Sequence, residues 1–221
     1  MLGKRLRARL AEARLYLIVE AEPGGHSPAE LLHAALAGGV DAVQLRDKSA
    51  GRDAILRAAE RFRAICDEHA ALFVVNDEPQ LAFECGADGV HVGQDDLAVE
   101  RTRAVVGRAP LVGVSTHDPD QVAAALGSSA DYLGVGPVHA TPTKPGRAPV
   151  GAELVQLAAA RARKPFFAIG GIDEENVGEV VVAGARRVAV VRAIRDSVDP
   201  RASAATLRTA VELEDRIGAA R

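Results

Sequence analysis

The chain has no tryptophan, and its 221 residues include only two tyrosines and five phenylalanines. So few rings leave little surface on which bases could stack, and the net charge of −3 is acidic overall, which argues against nucleic acid as a partner. Cysteine is almost as scarce. Cys66 and Cys85 form no C-x-x-C pair, which suggests a reducing compartment and two small buried hydrophobes. No apolar run approaches the ~20 residues of a membrane span. The basic N-terminus, MLGKRLRARLAEARL, lacks the apolar core of a secretory signal, and its leucines fall at helical spacing. It reads as a helix closing one end of the fold. A cytoplasmic location is the expectation.

Several chemistries are missing too. The six histidines show no H-x-H or H-E-x-x-H spacing. No G-x-S-x-G or Ser/His/Asp order announces a nucleophile, and no G-x-G-x-x-G follows the first strand.

What is present is a rhythm. Short β-branched apolar runs occur at 15–19, 42–46, 72–76, 89–92, 111–115, 132–136, 166–170 and 187–191. Nearly continuous apolar runs of this length suit strands covered on both faces. Ala-rich segments dotted with Arg and Glu, such as GRDAILRAAERFRAICDEHA, separate them with helical periodicity. GGVDAVQL, CGADGVHV, SSADYLGV and AGARRVAV form a weak repeat at the starts of the even-numbered strands. Eight β/α units without a composition break predict an α/β fold, a single (β/α)8 barrel spanning 1–221. Its core is expected at about 15–194, with a C-terminal helix at about 200–217. A doubly wound open sheet is the alternative.

Parallel barrels place their chemistry at the C-terminal ends of the strands. In ⁴⁴QLRDK⁴⁸, alternation sends Gln44, Arg46 and Lys48 one way and Leu45 and Asp47 the other. Two cations and an amide at a strand exit suit an anion such as phosphate; a solvated rim is the plainer reading. ⁷⁶NDEP⁷⁹ and ⁹⁴QDDL⁹⁷ put carboxylates at two neighbouring strand ends. Each could cap a helix, but beside cations a pair reads as a Mg²⁺ site, with Asp95 and Asp96 both candidates. In ¹⁶⁸AIGGID¹⁷³ two glycines could let backbone N–H groups approach an anion, next to ¹⁹⁰VVRAI¹⁹⁴. The long loop ¹³⁴GVGPVHATPTKPGRAPVG¹⁵¹ gathers two threonines, a lysine and four prolines.

Taken in order, QLRDK, VVND, GADGVHVGQDDL, GVSTH, GVGPVHATPTKPG, IGGI and GARRVAVVRAI resemble the thiamine-phosphate synthase family. The resemblance runs from about Leu15 to Ile194. It implies a Mg²⁺-dependent transferase of thiamine biosynthesis. Such an enzyme joins 4-amino-2-methyl-5-(diphosphooxymethyl)pyrimidine to 4-methyl-5-(2-phosphooxyethyl)thiazole, or its carboxylated form, by dissociative substitution, giving thiamine phosphate and pyrophosphate. The resemblance assigns the pyrimidine diphosphate to Gln44, Leu45, Arg46, Asp47, Lys48, Asn76, Ser115 and Lys144. Among these, Arg46, Lys48, Ser115 and Lys144 are the catalytic candidates. The thiazole phosphate falls to Thr141, Pro142, Thr143, Gly171, Val191 and Arg192, and Mg²⁺ to Asp77 and Asp96. The threonine–lysine loop would close over both substrates. Three positions depart from the family's habit: Glu20 stands near a common Asp, His139 at a frequent Tyr and Arg192 at a frequent Ser. The expected partners are small-molecule substrates, without nucleic acid or membrane; whether the chain forms a homo-oligomer stays open. A thiazole tautomerase or a phosphate-sensing barrel would share the fold, but neither needs the aspartate pair.

Overall fold

The computed structural model describes residues 1–141 and 148–218. Its eight strands are all parallel and close on themselves in sequence order. They are β1 (Leu15–Val19), β2 (Ala42–Leu45), β3 (Leu72–Asn76), β4 (Gly89–Val92), β5 (Leu111–Thr116), β6 (Tyr132–Val135), β7 (Phe166–Ile169) and β8 (Val188–Val190). The helices begin with α1 (Leu2–Glu12), α2 (Pro28–Ala37), α3 (Arg52–Glu68), α4 (Pro79–Glu84) and α5 (Val99–Val106). They continue with α6 (Pro119–Gly127), α7 (Gly151–Arg161), α8 (Val177–Val182), α9 (Arg192–Arg195) and α10 (Pro200–Gly218). The expected barrel is present, and every strand boundary lies within one residue of the sequence reading. Among the described residues no helix is long and apolar enough to cross a membrane.

Strand alternation divides the apolar residues into two cores. Leu15, Leu17, Val43, Phe73, Val90, Val112, Leu133 and Ala168 face the helices. Tyr16, Ile18, Ala42, Leu72, Val74, Leu111, Tyr132, Phe167 and Ala189 fill the barrel, joined there by Leu6 and Leu10 of α1. Burying each of those leucines contributes roughly 1.5–3 kcal/mol. The N-terminal helix therefore plugs the barrel's lower end, as its leucine spacing suggested. At the other extreme, Ala204, Leu207 and Val211 of α10 are buried, and the helix packs on α2 and α8. Gly38 permits the approach: a Cβ there would lie 2.4 Å from the Arg201 carbonyl oxygen.

The sequence repeat has a structural cause. In three of its four copies an aspartate precedes the even strand and fastens the start of the odd strand before it. Asp41 Oδ2 accepts the N–H groups of Arg14 and Leu15, at 2.7 and 3.0 Å. Asp88 accepts from Phe73 N–H and Asp131 from Val112 N–H, both at 2.9 Å. Each carboxylate also meets an arginine from the helical layer: Arg208, Arg63 and Arg103 respectively. Arg186 stands at the corresponding place in the fourth copy.

The cysteines fit their expected role in part. Cys66 is buried in the outer core, and burial pushes its thiol up to about 12. Cys85 is half-buried, packed against that core.

Candidate active site

The C-terminal ends of the strands surround a cavity of about 330 Å³. Gln44 and Arg46 enter from β2 and the residue after it, Asn76 from β3, and Ser115 from β5. Gly170, Gly171, Val191 and Arg192 line the opposite side, and Thr141 reaches it from the loop after β6. The structure thus brings together residues that are up to about 150 positions apart in sequence. Pro142, Thr143 and Lys144, together with the closing motion expected of their loop, lie outside the described residues.

Alternation holds for Gln44 and Arg46 but fails at Lys48. β2 ends at Leu45, so nothing beyond it enforces the pleat. Lys48 is largely exposed and does not line the cavity; its Nζ lies 3.1 Å from Asp77 Oδ2. Leu45 faces the outer core. Asp47 folds into its own loop, accepting from Ser49 Oγ at 2.7 Å and from the Ser49 and Ala50 N–H groups at 2.9 and 3.0 Å.

The aspartates at the ends of β3 and β4 are not helix caps. Glu78 and Ala98 occupy those positions on α4 and α5. The Asp77 and Asp96 carboxyl groups instead lie against each other, which separates Asp96 from the exposed, neighbouring Asp95. Asp96 is oriented by its own loop: Oδ2 accepts from Gly93 N–H at 2.7 Å, and a Cβ on Gly93 would lie 2.8 Å from that oxygen. Burial pushes the Asp77 carboxyl above its ordinary range and the adjacent Asp96 adds to this, while Lys48 opposes both. Asp77 also holds φ 63°, a left-handed conformation that Asp tolerates better than most residues. Two carboxylates in contact, with Lys48 beside them, suit a divalent cation. No set of three or more His, Cys, Asp or Glu forms among the described residues, so remaining ligands would have to come from substrate or water.

Gly170 and Gly171 have φ 103° and 65°. They are needed for packing as well as for any ligand. A Cβ on Gly170 would lie 2.4 Å from Pro137 Cβ, and one on Gly171 would lie 2.8 Å from the Ala140 carbonyl oxygen. The loop after β6 is hydrogen-bonded to this turn: Val138 N–H donates to the Ile169 carbonyl and His139 N–H to that of Gly170, both at 2.9 Å. Asn176 Nδ2 braces the turn from below by donating to the Gly171 carbonyl at 2.8 Å. Arg192 is exposed at the cavity mouth. Glu20 pairs with Arg195 at 2.6 Å.

Sequence reasoning passed over the cavity floor. Tyr16 and Tyr132 line it, and His91 sits beside them inside the barrel. The overlooked signal was alternation: Tyr16 and Tyr132 occupy inward-facing positions on their strands.

The thiamine monophosphate synthase family model matches residues 15–194. A thiamine-phosphate synthase from Thermobifida fusca is 49% identical over 209 residues, covering 94% of this chain and 96% of the relative. One from Gloeobacter violaceus is 52% identical over 198 residues, and there the match spans 90% of this chain but 57% of the longer relative. The solved thiamine phosphate pyrophosphorylase of Pyrococcus furiosus superposes with a TM-score of 0.84 at 30% identity, covering 94% of this chain and 98% of that one. Sequence, barrel and strand-end residues converge, and the chain belongs to the thiamine monophosphate synthase family.

Proposed function

We propose that the chain is a thiamine-phosphate synthase whose two substrates meet in the cavity at the C-terminal end of the barrel. The bond between the pyrimidine's exocyclic carbon and the diphosphate oxygen breaks, and its electron pair leaves with pyrophosphate. The thiazole nitrogen then supplies the pair for the new carbon–nitrogen bond. Such a dissociative path needs no protein nucleophile. The burden on the protein is to hold two anionic substrates and stabilise the charge that develops on the leaving group.

Arg46 and Lys48 are the cations for the diphosphate, with Asn76 beside them. Gln44 and Ser115 face one another across the floor as hydrogen-bonding partners for the pyrimidine. Gly171, Val191 and Arg192 form the opposite wall and take the thiazole phosphate, with Thr141 and Thr143 from the loop after β6. Lys144 in that loop is assigned to the pyrophosphate. Asp77 and Asp96 would hold Mg²⁺, which supplies positive charge to the leaving diphosphate. The observation that supports this reading is that the Asp77–Asp96 contact, with Lys48 attached, follows two neighbouring strands whose Asn76 and His91 line the cavity that Arg46 enters.

The test follows both products. With both substrates and Mg²⁺, thiamine phosphate and pyrophosphate should appear in equal amounts, and chelation by EDTA should stop both. A folded protein that binds thiazole phosphate but releases no pyrophosphate would contradict the assignment.

A further inference from the structure

Beneath the cavity, five polar side chains from five different strands form an unbroken series of hydrogen bonds through the barrel. Gln44 Nε2 donates to Tyr16 Oη at 2.8 Å. Tyr16 Oη lies 3.1 Å from Tyr132 Oη, which lies 3.2 Å from His91 Nδ1. His91 Nε2 completes the series, 3.0 Å from Ser115 Oγ. These are the chain's only two tyrosines. Both are fully buried, and burial holds both phenols above their ordinary range. Their rings stack edge-on against Phe167, at centroid distances of 5.2 and 5.8 Å.

The strands make room for this series. Gly113 of β5 lies in register with His91 on one side and Tyr132 on the other. A Cβ there would fall 2.2 Å from Tyr132 Cζ and 2.5 Å from His91 Nδ1. A glycine inside a buried strand weakens it, and here the missing side chain is what allows the bonds to pass.

We infer that Tyr16, Tyr132 and His91 are positioning residues that couple Gln44 to Ser115, so that the two ends of the cavity floor present a matched donor and acceptor to the pyrimidine. This rests on the synthase reading above. Each phenol has one proton to donate, and a neutral imidazole has one donor and one acceptor nitrogen. With the Gln44 amide donating inward, Tyr16 donates to Tyr132, Tyr132 to His91 Nδ1, and His91 Nε2–H to Ser115 Oγ. Gln44 Oε1 is then left to accept from the cavity and the Ser115 hydroxyl to donate into it. Reversing any one bond forces the others to reverse, which exchanges the roles at both ends together. An aminopyrimidine edge, with an amino donor beside a ring-nitrogen acceptor, is matched by one such pair. A hydrogen-bonded series inside a low-dielectric interior acts as a unit in this way.

The test is a mutant cycle on intact protein, using Tyr132→Phe, Ser115→Ala and the double variant, with steady-state kinetics for each substrate. Tyr132→Phe keeps the ring and removes one link. It should lower kcat/KM for the pyrimidine diphosphate about tenfold while the KM for thiazole phosphate stays within about twofold. The double variant should fall no more than about twofold below Ser115→Ala alone, because residues acting through one another are not additive. If both KM values rise together, or the two single losses multiply in the double variant, the side chains only fill space and the inference fails. Tyr16→Phe, cutting the series one link earlier, should repeat the pattern and replaces Tyr132→Phe if that variant does not melt cooperatively. Absence of turnover by the wild-type protein would count against the synthase reading alone. The coupling would then be judged by the same pattern in calorimetric affinities for the pyrimidine diphosphate, and failure of that compound to bind at all would overturn both.

Discussion

Asp77 concentrates more local cost than any other residue of the site. It holds a left-handed backbone, lies partly buried, and touches a second carboxylate, with Lys48 beside it to offset the charge. Residues kept in such states usually serve a function rather than the fold. Asp77→Asn and Asp96→Asn should therefore lower kcat/KM by about 10²-fold or more, the scale of losing a preorganised charge contact. Their thermal midpoints should equal or exceed that of the wild type, since a like-charge contact is removed. Wild-type rates in both variants across a Mg²⁺ titration would remove the metal assignment. Asp47 shows the opposite balance. Burial raises its carboxyl, but hydrogen bonds from Ser49, Ala50 and Ala21 outweigh this and hold it below its ordinary range. A depressed folded value means that its stabilisation is present above the unfolded value, near 3.9, and is lost as the pH falls through the folded one. Thermal midpoints of the wild type and Asp47→Asn should separate above about pH 4 and converge in stronger acid. Curves that stay parallel down to the acid limit would show that the loop does not depend on this charge.

At the scale of elements, the aspartate that opens three of the four repeats ties one strand start to the next and to an arginine of the helical layer. Asp131 meets two arginine side chains, Arg103 and Arg7, as well as the Val112 N–H. Asp131→Ala would leave Arg103 without its carboxylate and should cost about 2–4 kcal/mol in denaturant unfolding, with little change in KM for either substrate. On the opposite face, Gly171→Ala would add a Cβ at φ 65° and 2.8 Å from the Ala140 carbonyl oxygen. It should cost at least about 1 kcal/mol and raise the KM for thiazole phosphate more than that for the pyrimidine. The strands were legible in the sequence because burial on both faces leaves them nearly continuously apolar. Their ends were less so. Lys48 was placed by alternation that stops with β2 at Leu45, and the short α9 was hidden in the run after β8, where Val191 leaves extended backbone with ψ −82°. The repeat was visible as a pattern, while its cause, a carboxylate reaching across to another strand, needed the register.

For the molecule as a whole, the barrel separates support from chemistry along its axis. The lower interior is apolar and plugged by Leu6 and Leu10; the upper interior turns polar at Tyr16, Gln44, His91, Ser115 and Tyr132 and opens into the cavity. The strand-end rule located that cavity from sequence, since parallel strands deliver their last residues to one face. Spacing did not separate Asp95 from Asp96, nor disclose that Tyr16 meets Tyr132 across 116 positions. The pairing of β3 with β4 decides the first and closure of the sheet the second.

A crystal structure of the protein with thiamine phosphate, pyrophosphate and Mg²⁺ would test the placement of the chemistry most directly. The pyrimidine should lie between Gln44 and Ser115, the thiazole phosphate against Gly171 and Arg192, and the metal on Asp77 and Asp96 beside pyrophosphate held by Arg46. Product bound elsewhere, or a metal that avoids both aspartates, would contradict it.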